Sequence, residues 1–368
     1  MRTMLLLKED GGFQLNLDLF RHHRERIEYA WENGPPTVGA LYSPAMIDLL
    51  GRPRSPDEPL ERRHADIACS TQAMYEEALF HLLDALHARY GLDAVALAGG
   101  CGMNAVANGK VTRRTPFKKI YVPPAAGDAG GAIGAAATVW HELGGPRGRG
   151  VDHAYWGPQY DASAVATVLT LRREEISAAG CKVTRVADEN ALCRQTAAAI
   201  AAGRVVGWFQ GRMEWGPRAL GNRSIVCDPR RSEMKEILNG RIKHRESFRP
   251  FAPSILREKA LAWFEIEDGA PFMAQVARIR EERRAKVPAV THVDGSGRLQ
   301  TVDRCSNPRF HRLIEAFEAL TGVPMVLNTS FNENEPMVRA PGEALDCFLR
   351  TRMDLLVMED WMVRRNGA

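Results

Sequence analysis

The chain has 368 residues, 45% hydrophobic and 26% charged, with a formal net charge of +4; that is the length of two domains with their own cores and the composition of a soluble globular protein. No run of about 18 apolar residues marks a membrane span, and Met1–Lys8 is too short for the apolar part of a secretory leader. Seven scattered cysteines without CxxC or zinc spacing fit reduced thiols in a cytoplasmic protein, and the absence of RNP-like or helix-turn-helix signatures argues against a nucleic-acid partner.

Residues 66–90 carry a helical repeat, with Ile67, Met74, Ala78, Leu79, Leu82, Leu83 and Leu86 on one side and Gly91 as its stop. The short apolar run Ala94–Ala98 predicts a buried strand that ends at Gly99-Gly-Cys-Gly-Met-Asn104. A second run, Ile120–Val122, leads through Pro-Pro-Ala-Ala to Gly127-Asp-Ala-Gly-Gly131 and a helix ending near Leu143. Twice, then, a strand, a glycine turn and a helix follow one another, the arrangement in which α/β sheets bind ligands at the carboxyl ends of strands. Asp128 reads either as a helix N-cap or as a carboxylate for a metal or phosphate. The Gly/Pro-rich stretch at 144–160 predicts a domain boundary.

Beyond it, residues 189–202 predict an Ala-rich helix, and Gly203–Phe209 a strand that runs into a basic turn. Between Arg204 and Arg249 lie eleven Lys/Arg and five Asp/Glu, a local +6 that leaves the remainder of the chain at −2. Fixed guanidinium forks interleaved with Gly216, Pro217 and Gly221 suit a polyanionic small molecule better than a merely solvated face. A strand at Val323–Leu327 precedes Asn328-Thr-Ser-Phe-Asn332, whose amides and hydroxyls either satisfy a turn or join Lys243, Arg245 and Arg298 around a nucleotide triphosphate. Helices at 308–320 and 341–350 would cover the sheet, which makes the architecture α/β with mixed strand order.

These residues carry a resemblance. Leu97–Gly109, Pro123–Ala132, Met213–Ser224, Phe248–Pro253, Thr291–Arg298 and Asn328–Asn332, in this order along the chain, resemble the NodU/CmcH family of O-carbamoyltransferases, which includes nodulation-factor and antibiotic carbamoyltransferases. The resemblance implies a partial Kae1-like domain of the actin/sugar-kinase/Hsp70 class at 1–148, a linker at 149–158 and a YrdC-like α/β domain at 159–368. It implies that the YrdC-like domain makes carbamoyladenylate from carbamoyl phosphate and ATP with Mg²⁺. The Kae1-like domain would pass the carbamoyl group to a hydroxyl of a small-molecule acceptor. By position, Lys243, Arg245, Ser330 and Asn332 correspond to the catalytic set, and Arg218, Arg249, Arg298 and Asn328 to the groups that bind carbamoyl phosphate or ATP phosphates. Gly99, Gly100 and Asn104 correspond to the turn that receives the adenylate, and Asp128 to a ligand of an Fe²⁺ ion.

Family members begin well upstream, with a pair of histidines four residues apart. No two of the ten histidines here have that spacing, and adjacent His22 and His23 point in different directions on a helix. The expectation is therefore a C-terminal piece whose missing half comes from a longer gene or a separate chain, with apolar surface left exposed. The competing expectation is a non-catalytic relative that binds nucleotide or RNA.

Overall fold

The computed structural model describes residues 2–31, 37–148 and 150–367. Arg149, the first residue of the expected linker, lies outside them. The chain divides into two compact units, Met1–Val95 with Lys110–Ile120, and Ala96–Gly109 with Tyr121–Ala368.

In the first unit the dominant element is the helix Arg62–Tyr90, stopped by Gly91 in the left-handed conformation at φ 63°, whose N–H donates to the His87 carbonyl. Its inward face differs from the apolar stripe read from the sequence. Glu76, Phe80 and Leu83 are buried together with Ala78, whereas Leu82 and Leu86 are exposed. The buried Glu76 is paired: Lys110 Nζ lies 2.6 and 2.7 Å from its two carboxylate oxygens. With Phe80 and Leu83, Glu76 forms the i, i+4, i+7 line that faces the interior.

The second unit is built on a nine-stranded mixed sheet, so the α/β class read from the sequence holds. Its strands run in the order Gln275–Arg278, Ser296–Val302, Ala252–Leu256, Met325–Ser330, Arg223–Cys227, Val206–Phe209, Leu355–Met358, Trp361–Arg365, Cys181–Arg185. Neighbours are antiparallel except for two parallel pairs, Ala252–Leu256 with Ser296–Val302 and Val206–Phe209 with Leu355–Met358. Val206-Gly-Trp-Phe209 is buried along its whole length, as expected of a central strand covered on both faces.

Helices form where the local signals place them. Asp188 caps Glu189–Ala201 through the Asn190 N–H, and Asn307 caps Pro308–Thr321 through the Phe310 N–H. Pro341 opens Pro341–Arg350, and Gly322 closes the helix before it. The helix Pro308–Thr321 packs on Glu189–Ala201, with Phe310, Phe317, Phe331, Phe348 and Trp208 fully buried in the core. No described helix is long and apolar enough to cross a membrane, and none of the seven cysteines is in a disulfide among the described residues. The helix Gly130–Glu142 has no buried residue; Trp140, Val139 and the following Leu143 stand exposed.

One glycine limits what this core accepts. Gly221 sits at φ 108°, and a Cβ there would lie 2.2 Å from the Phe310 ring. Gly221→Ala adds backbone strain to overpacking and is expected to lower stability by about 2–4 kcal/mol in urea unfolding.

Candidate active site

The basic turn connects two neighbouring strands, Val206–Phe209 and Arg223–Cys227, and is organised around one buried carboxylate. Glu214 Oε1 accepts the backbone N–H groups of Leu220, Asn222 and Arg223 at 2.7, 2.8 and 3.2 Å. Gly216, at φ 133°, lets the turn press against Pro124, since a Cβ there would meet the Pro124 carbonyl at 2.5 Å.

Several cations of the segment belong to this scaffold. Arg223 is fully buried over the Phe209 ring at 3.6 Å and donates to the Gln210 and Asn222 carbonyls at 2.7 and 2.8 Å; burial holds its pKa down to about 10. Arg212 donates to the Trp156 and Gly157 carbonyls, and Arg230 is held by Asp228 at 2.6 Å. The local +6 is thus only partly directed at a ligand, because much of it braces turns internally.

The remaining arginines converge. Arg218, Arg245, Arg249 and Arg298 line one cavity of about 420 Å³, together with His292, Asn328 and Ser330. Neither Arg218 nor Arg298 has a side-chain acceptor among the described residues. Burial lowers both pKa values, and repulsion from Arg218 helps hold Arg298 down to about 10. Arg245 is braced by Asn239 Oδ1 at 2.8 Å and lies over the Phe251 ring; burial lowers it first, and Arg249 second. Arg249 pairs with Glu246 at 2.8 Å. Desolvated guanidinium groups without counter-charges are costly unless an anion accepts their N–H groups, and planar forks match phosphoryl oxygens.

Beside the cavity Lys243 is 2% exposed. Its ammonium donates to Ser330 O and Oγ at 2.6 and 3.2 Å and to Asn332 O and Oδ1 at 2.7 and 2.5 Å. Burial, followed by repulsion from Arg245, pushes it down to about 7, while the four oxygens act in the opposite sense by solvating the charge. The backbone supports this arrangement: a π-helical turn at Leu238–Ile242 precedes Lys243, and His244 follows at φ 43°, a conformation uncommon for a non-glycine residue. Across this kink Lys243 reaches the end of the strand Met325–Ser330 while Arg245 lines the cavity.

A second cavity of about 550 Å³ in the same unit is lined by Gly99, Asp128, several Pro, Ala and Gly residues, and Trp156 and Trp215. Gly100 opens the short 3-10 turn Gly100–Met103, and Asn104 Oδ1 caps the next turn through the Ala107 N–H. Ala129, not Asp128, occupies the N-cap position of the helix Gly130–Glu142. Among the described residues, the one grouping of three His, Cys, Asp or Glu side chains is Glu258, His311 and Glu315, distinct from Asp128. The described residues therefore supply Asp128 alone at the expected iron position, which does not make up a metal-binding set.

The sequence reading singled out neither His292 nor Glu214. His292 lies within the Thr291–Arg298 motif, which was the available signal. Glu214 sits inside a basic stretch where a carboxylate reads only as a charge offset.

For Lys243, the folded chain holds one proton fewer than the unfolded chain between about 7 and the ordinary 10.5. Its contribution to stability therefore rises with pH through that window. Lys243→Met is expected to flatten the rise, measured as urea-unfolding free energy at several pH values between about 7.5 and 9.5. Equal slopes in variant and parent would mean that the four oxygens fully offset burial.

The family model described as "Carbamoyltransferase N-terminus" matches residues 4–137, and "Carbamoyltransferase C-terminus" matches residues 197–365. An uncharacterized protein of Synechocystis sp. is 41% identical across 99% of this chain and 61% of its own length. Nodulation protein NolO of Bradyrhizobium diazoefficiens is 43% identical across 84% of this chain and 56% of its own length. A 3'-hydroxymethylcephem-O-carbamoyltransferase of Amycolatopsis lactamdurans is 34% identical, covering 74% and 49%. The chain spans about half the length of these curated relatives. With both family regions matched in order around a convergent arginine cavity, the chain belongs to the carbamoyltransferase family.

Proposed function

We propose that the arginine-lined cavity binds carbamoyl phosphate together with phosphates of ATP, and that a YrdC-like C-terminal domain makes carbamoyladenylate there. Written in balance, carbamoyl phosphate, ATP and one water give carbamoyladenylate, pyrophosphate and phosphate. The observation that carries this reading is the pair Arg218 and Arg298, desolvated, without protein acceptors, and lining one cavity with Arg245 and Arg249. Their role is to neutralise phosphoryl charge as it shifts to the leaving groups, in a site already organised before the ligand arrives. Lys243, fixed by Ser330 and Asn332, stands behind Arg245 and ties the backbone that carries it to the strand end. Among the described residues no carboxylate lines the cavity, so Mg²⁺ would arrive with the ATP phosphates.

The Kae1-like part would then move the carbamoyl group from the adenylate to a hydroxyl of an acceptor, with release of AMP. The second cavity supports this reading: Gly99 and the flanking backbone permit close approach, and the indoles of Trp156 and Trp215 offer flat apolar walls to a nucleobase.

Pyrophosphate release from ATP and carbamoyl phosphate tests the first step. Arg298→Met is expected to reduce it by about 100-fold. The unliganded variant should be at least as stable as the parent in urea, because an unpaired buried charge is removed. Folded protein that releases no pyrophosphate from the two substrates overturns the proposal.

A further inference from the structure

Two of the four cavity arginines, Arg245 and Arg249, sit on one loop that follows the π-helical turn Leu238–Ile242. Asn239 stands in that turn and is 1% exposed. Its Oδ1 accepts the Nε–H of Arg245 at 2.8 Å. Its Nδ2 donates to the carbonyls of Ser247 and Arg249 at 3.3 and 3.1 Å. The backbone closes the same loop, since the Arg245 N–H donates to the Asn239 carbonyl at 3.0 Å.

The partners leave the amide one orientation. A guanidinium can only donate and a carbonyl can only accept, so the amide oxygen faces Arg245 and the nitrogen faces the two carbonyls. A carboxylate of the same shape would keep the first bond and lose the other two. These bonds decide how the arginines are presented. The Arg245 guanidinium is tied at Nε and lies 5.0 Å from the Phe251 ring centroid, so it is gripped at its base and on one face. Its terminal N–H groups meet no acceptor among the described residues and remain for an anion in the cavity. Arg249 pairs with Glu246, three residues before it, but both side chains are about half exposed. An exposed pair of that kind contributes little. The bond from the buried amide to the Arg249 carbonyl is therefore the firmer hold on the backbone that carries this second fork.

We infer that Asn239 is a positioning residue for the anion site: one buried amide sets the direction of the Arg245 fork and the course of the chain through Arg249. Asn239 does not itself line the cavity. Forks fixed before the ligand arrives are spared the ordering of long, flexible side chains on binding. The inference rests on the reading of the cavity as the carbamoyl phosphate site.

Titration calorimetry of the full chain with carbamoyl phosphate tests the assignment, in a cycle of the parent, Asn239→Ala, Arg245→Met and the double variant. Asn239→Ala is expected to weaken binding by about 30-fold in the parent background, because both forks lose their aim. In the Arg245→Met background the same change should cost less than about 10-fold, the remainder acting through Arg249. Equal losses in the two backgrounds would mean that Asn239 acts independently of Arg245, as a merely structural residue would, and would overturn the assignment. Unchanged binding by folded Asn239→Ala also overturns it, yet leaves the carbamoyl phosphate site standing. Failure of the folded parent to bind carbamoyl phosphate removes the site and the inference together. Where Asn239→Ala does not fold, the unliganded parent decides. The ¹⁵N–¹H signal of Arg245 Nε, identified by its loss in Arg245→Met, should persist at mildly alkaline pH, where an unbonded Nε–H is lost to exchange with water. Its absence there overturns the assignment.

Discussion

Two guanidinium groups, Arg218 and Arg298, stand desolvated without a protein counter-charge, and much of the second unit can be understood as the framework that tolerates them. Like charges near one another in a low-dielectric pocket repel, and each lowers the other's affinity for its proton. Such a pair persists only where the backbone on either side has little freedom to relax. Arg298 comes from the interior of a sheet strand, and Arg218 from a turn pinned by three N–H bonds to Glu214. The placement trades stability of the free protein for readiness toward an anion, a trade expected at functional sites.

The same division explains the sorting of cations. Arg223 and Lys243 are as deeply buried as any polar group in the unit, but both are surrounded by oxygens and so hold structure. The arginines that line the cavity receive less. Counting charge along the segment cannot separate these roles, because the acceptors of Arg223 include carbonyls of its own turn and those of Lys243 lie on a strand end nearly ninety residues later.

Local signals were legible and long-range ones were not. Asp188, Asn307, Pro308, Gly322 and Pro341 mark helix ends by chemistry confined to one turn, and the helices begin and end there. The long helix and the inward Ala78 and Leu83 are legible in the sequence, but Leu82 and Leu86 are exposed and Glu76, paired with Lys110, is buried instead. The residue types alone suggest joining Arg245 and Arg298 with the Asn328–Asn332 stretch, with a merely satisfied turn as the alternative; Arg218 and Arg249 enter the set by the family motifs, and one cavity is lined by all four arginines with Asn328 and Ser330. The sheet order could not be foreseen, for it pairs strands far apart in the chain. Nor could the orientation of the Asn328 amide, which Ser254 and Gln300 decide.

Trp215 faces the second cavity, and Pro217 and Arg218 face the first, with only Gly216 between them. One short stretch of backbone is therefore a party wall between two chambers. Only three peptide planes separate the residue that carries the guanidinium in one room from the residue that carries the indole in the other, so a substitution in this stretch touches both chambers at once.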